Sequence, residues 1–340
     1  MLPFQYLRAD SANAAVKAVE SRSQRTTGRP DGETRFLAGG TTLIDLMKLQ
    51  VMRPERLVDI NPLVKGQMGQ IRMNGDTLIL GSMVKMAEAA DHPQIRPALP
   101  MLAQSLQLAA SAQIRNMASL GGNVLQRTRC TYFRDVSYTN CNKRMPGSGC
   151  AALEGFNRAH AVLGASGDCI ASYPGDFGQA LIALDARVQI AGPKGHREVA
   201  FSELHRPPAQ TPHIETSLAP DELIMSFTIP VQPWMRRSMY LKIRDRESYE
   251  FALASAAVAL ELDGSAVRTA RIALGGVATV PWRARDAEDR LIGKTVSEAA
   301  EAAATAAFAN ARGYEHNSFK IELGKTTLIR ALTQTAAMDV

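Results

Sequence analysis

The sequence predicts an α+β fold divided into two or three lobes, and three observations carry that expectation. A chain of 340 residues, 46% of them hydrophobic, exceeds what one core ordinarily encloses. The first sixty residues alternate strand-like and helical patterns. Near the C-terminus, two apolar runs meet at Asp263-Gly264 and lead into helical patterns.

Taken in order, SANAAVKAVES reads as a helix, TRFLAGG as a strand ending in a glycine turn, TTLIDLMKLQ as a helix and ERLVDIN as a strand, together an α/β unit. From Asp76, TLILGSMVKM begins as a strand. The following AEAADHPQIRPALPMLAQSLQLAAS is helical apart from breaks at Pro93, Pro97 and Pro100. QIRNMASLGGNVLQ then brings a second glycine pair, marking another tight backbone site. Residues 124–172 lose periodicity, are rich in Arg, Asn, Gly, Tyr and Cys, and read as an inserted loop. Regular structure resumes with DFGQALIALDARVQIAG, a helix leading into a strand, and DELIMSFTIPV, a strand. In the last lobe, FALASAAVALELDGSAVRTARIALGGV gives two strands, backed by helices in SEAAEAAATAAFANAR and KTTLIRALTQTAA.

Composition narrows the function classes. The net charge of +6 is modest and its basic residues are scattered, densest near Arg236 and Arg244, without the aromatic interleaving of single-strand binders, so a nucleic-acid partner is not expected. No run approaches the ~18 apolar residues of a membrane span. MLPFQYLRADSANAAVKAVE lacks a basic stretch followed by an apolar core, which predicts cytoplasmic synthesis without an export signal of its own; a periplasmic destination would require co-export on a partner's signal.

Leu37, Ala38, Gly39, Gly40, Thr41, Thr42 and Leu43 lie where a strand hands over to a helix. Paired glycines there permit a tight turn whose amides and hydroxyls can surround a phosphate. The pattern is neither GxGxxG nor a P-loop, and alone it is equally a plain turn. The second site, Ser119-Leu120-Gly121-Gly122-Asn123, matters because a pyrophosphate needs donors from more than one side.

LAGGTTLIDLMK followed by IRNMASLGGNVL resembles the paired FAD-binding signatures of the flavoprotein (medium) subunit of the xanthine dehydrogenase, aldehyde oxidase and carbon monoxide dehydrogenase family. TLILGSMVKMAEA, PGDFGQALIALDARV, YLKIRDRESYEFALASAAVAL and IALGGVATVPWRARDAE extend the likeness over nearly the whole chain. The resemblance implies two N-terminal α/β subdomains of a PCMH-type FAD-binding domain (1–60 and 61–230) and a C-terminal α+β lobe on an antiparallel sheet (231–340). It also implies that Leu37 through Leu43 wrap the pyrophosphate, that Ser119, Gly122 and Asn123 approach from the second subdomain, and that Leu125 lies nearby. Asp176 would hydrogen-bond the cofactor's sugar-like part, Ile224 would sit beside the flavin or adenine, and Lys242 would match the family's Y-x-K lysine. Read without the resemblance, Asp176 is a helix cap, Lys242 a surface charge and Ile224 a core residue.

Asn123 and Asp176 lie 53 positions apart, and the chain's four cysteines, Cys130, Cys141, Cys150 and Cys169, all fall between them. The spacing C-x10-C-x8-C-x18-C lacks the paired knuckles of a zinc ribbon and the compact run of a bacterial ferredoxin. From the residues alone, structural zinc, two disulfides and a 4Fe-4S cluster stay open. A loop inserted at this point with four cysteine ligands to a 4Fe-4S cluster occurs in the periplasmic aldehyde oxidoreductase branch of the family and, with different spacing, in 4-hydroxybenzoyl-CoA reductase. CNKRMPGSGC and YLKIRDRESY resemble the former, which implies a cluster here. Arg127, Arg129, Arg134, Lys143 and Arg144 are expected partly to offset cluster charge and partly to be solvated. His160 reads as an ordinary structural histidine.

The resemblance thus implies an electron-transfer subunit with no catalytic residue of its own, bound to a large molybdenum-cofactor subunit and a small 2Fe-2S subunit. FAD here would pass electrons to an external acceptor; the chain shows no dinucleotide fingerprint, and the aldehyde oxidoreductase resemblance points toward an acceptor other than NAD. The competing readings are a xanthine dehydrogenase-like or 4-hydroxybenzoyl-CoA reductase-like flavoprotein, a free-standing FAD oxidase, and a zinc-stabilised assembly subunit.

Overall fold

The structure, a computed structural model, describes residues 1–23 and 34–340. Three sheets organise it. The first is small and parallel in order β1-β3-β2, with β1 at Gln5–Arg8, β2 at Thr34–Leu37 and β3 at Arg56–Asp59, and helix Ala12–Ser23 packs on it. Val16 and Val19 of the helix bury against Val58 and Ile60, supplying the core of this α/β unit.

The second sheet is antiparallel in order β4-β5-β8-β6-β7, formed by β4 (Ile71–Asn74), β5 (Thr77–Gly81), β6 (Arg187–Gly192), β7 (Gly195–Ala200) and β8 (Leu223–Pro230). Leu78, Leu80, Val188, Phe227 and Ile229 alternate onto one face, which Met86, Leu102, Leu106 and Phe177 of the covering helices complete.

The third sheet, order β12-β11-β10-β9, comprises β9 (Ser238–Ile243), β10 (Ala254–Asp263), β11 (Ala266–Gly275) and the two-residue β12 (Trp282–Arg283). Strand β10 is buried on both faces, which explains its nearly continuous apolar run. Ala257 and Ala259 join the core shared with the second subdomain, while Ala256, Val258 and Leu260 face the C-terminal helices. Small alanines let helix Pro100–Gln107 approach, so the two lobes share one core rather than meeting at a wet interface. On the outer face, helix Val296–Ala307 begins with a capping box between Thr295 and Glu298. Helix Phe319–Ala336 lies beside it, where a Cβ on Gly324 would stand 2.2 Å from Phe308 Cζ.

Between helix Leu120–Val124 and helix Phe177–Ala183 the chain makes only one short helix, Thr131–Arg134, as the loss of periodicity predicts. It is nonetheless packed: Phe133, Ala152, Asn157 and Ala161 are fully buried. Among the described residues no helix is long and apolar enough to cross a membrane.

Candidate functional site

The turn after β2 is built for close approach. Gly40 adopts φ +73°, a conformation that costs other residues strain, and a Cβ on Gly39 would stand 2.1 Å from the Met117 carbonyl oxygen. Glycine therefore lets the first turn sit directly on the backbone leading into the second. Lys85 Nζ donates to the same Met117 oxygen at 3.0 Å and anchors it. Ser119 caps helix Leu120–Val124, its Oγ accepting from Gly122 N at 3.2 Å, and Gly121 N donates to Ser82 O at 2.8 Å.

These two turns border a cavity of about 540 Å³, within the range of small-molecule and cofactor sites. Ala38, Gly39, Gly40, Thr41, Thr42 and Leu43 line it from the first subdomain, and Ser119, Gly122, Leu125 and Ile224 from the second. Thr42 makes no capping hydrogen bond to the helix it precedes. Ile224 belongs to the core and lines the cavity at once, so its two readings coincide. Leu37 does not reach the cavity; it pairs with Asp59 and its carbonyl accepts from Ile60 N. Asn123 turns away as well, its Nδ2 3.3 Å from Met86 Sδ and its buried Oδ1 without a partner.

Asp176 and Lys242 are not among the residues lining the cavity and pair with each other. Lys242 Nζ donates to Asp176 Oδ2 at 2.8 Å and to Leu108 O at 3.0 Å, and Tyr240 Oη donates to Asp176 Oδ1 at 2.7 Å. The two charged side chains are only 1% and 5% exposed, at the seam between second subdomain and C-terminal lobe, two residues beyond Pro174 of the cavity lining in the case of Asp176. Burial forces opposite charges to pair. Asp176 makes no side-chain cap on its helix, and Lys242 is not a solvated charge. Burial raises the Asp176 carboxyl above its ordinary value, and Lys242 only partly offsets this.

Sequence reasoning missed a wall of the cavity. The segment between β7 and β8 contributes His205, Pro208, His213, Ile214 and Glu215, and after a short 3-10 helix at Phe201–Glu203 it holds only the isolated His205–Thr216 bridge. Arg127 Nε donates to Glu215 Oε2, and Lys143 Nζ to Glu215 Oε1, both at 2.7 Å. Burial alone would raise the Glu215 carboxyl, but the two cations outweigh it and hold it at about 2. No motif marks this segment; a lone Glu in an aperiodic stretch is its only signal.

The four cysteines converge. Cys130, Cys141, Cys150 and Cys169 are free thiols lining one second cavity of about 10 Å³. Cys141 and Cys150 face each other across an antiparallel bridge. The Cys169 thiol hydrogen-bonds Cys150, drawing Cys150 down to about 6 while Cys169 rises; burial pushes Cys130 up to about 12. His160 Nε2 lies 3.1 Å from Cys130 Sγ, within hydrogen-bonding distance. Among the described residues no three or more His, Cys, Asp or Glu side chains are grouped to hold a metal ion. The loop's cations mostly serve the protein: Arg134 and Arg129 pair with Asp45 at 2.8 and 3.7 Å, and Arg144 donates to carbonyls of Tyr132, Phe133 and Asp135. Lys143 and Ala171 line both cavities.

Residues 2–232 match the family described as the FAD binding domain in molybdopterin dehydrogenase, and residues 239–335 match the CO dehydrogenase flavoprotein C-terminal domain. The chain is 43% identical over 339 residues to the aldehyde oxidoreductase FAD-binding subunit of Escherichia coli strain K12, covering 99% of each. It is 28% identical to the carbon monoxide dehydrogenase medium chain of Hydrogenophaga pseudoflava, covering 91% of this chain and 88% of the other. A solved structure of carbon monoxide dehydrogenase from the same organism superposes with a TM-score of 0.74 at 26% identity, covering 99% of both chains. With two glycine turns closing on one cofactor-sized cavity, the chain belongs to the family of FAD-binding medium subunits of molybdenum hydroxylases.

Proposed function

We propose that this chain is the electron-transfer subunit of an aldehyde oxidoreductase that carries both FAD and a 4Fe-4S cluster. The cavity between the glycine turns carries the FAD part of this reading. Backbone amides of the first turn, with Thr41 and Thr42, would hold the pyrophosphate, opposed by Ser119 and Gly122. Bound FAD supplies reversible electron uptake and release. The polypeptide's part is to position the ring, exclude water and set the surrounding charge, for which Glu215 and its two cations are placed.

The convergence of four thiols on one cavity supports the cluster. A single zinc ion requires all its ligands on one atom, whereas a cluster gives each thiolate its own iron and tolerates wider separation. Four cysteines that line one shared cavity are in keeping with the second arrangement. The reading extends to a large molybdenum-cofactor subunit that oxidises the aldehyde, a small 2Fe-2S subunit between it and this chain, and a non-NAD acceptor. It further includes synthesis in the cytoplasm and co-export with a partner to the periplasm.

Anaerobic purification tests it. Flavin absorption with a broad iron-sulfur shoulder, about four irons per chain, and co-purifying molybdenum and 2Fe-2S chains are the expected result. A colourless protein with one zinc would sink the cluster; turnover of alcohols or aldehydes by the isolated chain would sink the partner-dependent role.

A further inference from the structure

The aperiodic wall of the FAD cavity, residues 205–216, receives direct support from the cysteine loop. Lys143 Nζ donates to Pro212 O at 3.1 Å as well as to Glu215, and Ser166 Oγ donates to Ala209 O at 2.8 Å. Each strut is continuous with the cysteines. Lys143 follows Asn142, whose backbone N donates to Gly149 O and whose Oδ1 accepts from Gly149 N at 2.9 Å, closing the turn that pairs Cys141 with Cys150. Ser166 Oγ accepts from Cys169 N at 3.2 Å, and Ser166 N donates to Cys169 O at 3.1 Å.

The loop also grips the opposite side of the FAD site. Phe133 and Cys141 bury against Leu46, Val51 and Met52, and Arg134 pairs with Asp45 on helix Leu43–Lys48, the helix that the first glycine turn opens. Loop, turn helix and aperiodic wall are thus one packed body around the cavity.

We propose that Lys143 and Ser166 are positioning residues of the flavin site, through which closure of the cysteine loop by its metal group and binding of FAD strengthen each other. The proposal rests on the reading that this chain holds FAD beside a metal-closed loop, and it holds whether iron or zinc closes the loop. Linkage makes the effect reciprocal: whatever factor metal closure adds to FAD affinity, FAD adds to metal retention.

The test uses the full-length chain, with FAD affinity from equilibrium dialysis and metal content measured on the same samples. Lys143→Met is expected to weaken FAD binding about tenfold or more with metal content retained, and Lys143→Arg to recover most of it. Chelator-stripped wild type should show a comparable loss, while a Lys143→Met/Ser166→Ala double variant should lose little more on stripping. Ser166→Ala alone should show a smaller loss and serves if Lys143→Met does not fold. Unchanged FAD affinity in Lys143→Met or in Ser166→Ala at full metal content would overturn the struts, as would stripped wild type that binds FAD normally. Wild type that contains zinc and still shows the coupling would overturn the cluster and uphold the struts.

Discussion

Replacing Lys242 by Met isolates the buried pair at the seam between lobes. Met keeps much of the side-chain volume, so the change is chiefly electrostatic. Asp176, its side chain 5% exposed, would keep the Tyr240 hydroxyl as its hydrogen-bond partner and the more distant charge of Arg244. It then has two courses: to stay ionised without its counter-ion, at about 3–5 kcal/mol, or to take up a proton. Protonating a carboxyl of ordinary unfolded pKa costs about 4 kcal/mol at pH 7 and about 1.5 kcal/mol at pH 5. The cheaper course limits the loss, so destabilisation should be about 3–4 kcal/mol at pH 7 and shrink toward pH 5.

The sign follows from linkage. Asp176 already stands above its ordinary value, pushed by burial against the pull of Lys242. Without Lys242 the folded state binds that proton still more tightly than the unfolded chain, and such a group loses stability as pH rises. Urea unfolding followed by Trp234 and Trp282, which pack on the two large cores, reads the difference from wild type at each pH. A loss below about 1 kcal/mol at pH 7, or one that does not diminish by pH 5, would refute the reasoning.

Three further outcomes follow from the geometry. Gly39→Ala puts a methyl 2.1 Å from Met117 O and should weaken FAD binding on the order of tenfold, about 1.4 kcal/mol, by equilibrium dialysis. Gly324→Ala drives a methyl into the Phe308 ring and should cost about 1–3 kcal/mol in urea unfolding with FAD affinity unchanged. Cys150→Ser removes one of the four converging thiols and should lower bound iron and the broad absorption shoulder together; full iron retention would deny it a ligand role.

The sequence displayed what local chemistry controls. The first glycine pair at an element boundary was legible because glycine takes the φ of Gly40 without strain and has no Cβ to block the approach of Gly39 to Met117. The two-faced strand β10 and its partner were legible as apolar runs about Asp263-Gly264. Partner choice over long range was not. Asp176 and Lys242 stand 66 positions apart, and nothing local says that each is the other's counter-ion. Strand β1, four exposed residues, carries no hydrophobic alternation and exists through its parallel pairing with β3. The wall at 205–216 was hidden for the same reason: its order comes from Arg127, Lys143 and Ser166, all outside it.

Lys320, fully buried in the last long helix, donates its ammonium to His160 O at 3.0 Å and to Gly276 O at 2.6 Å. Beside it Asn317 Nδ2 donates to the carbonyls of His160 and Ala161, and His316 N to Asn157 Oδ1. The segment facing Cys130 is therefore held by residues synthesised about 160 positions later. During translation the four thiols emerge well before the helix that completes their setting, an interval of about 8–30 s at the usual rate of elongation. Truncation before residue 317 would remove both the Asn317 and the Lys320 contacts to the segment facing Cys130.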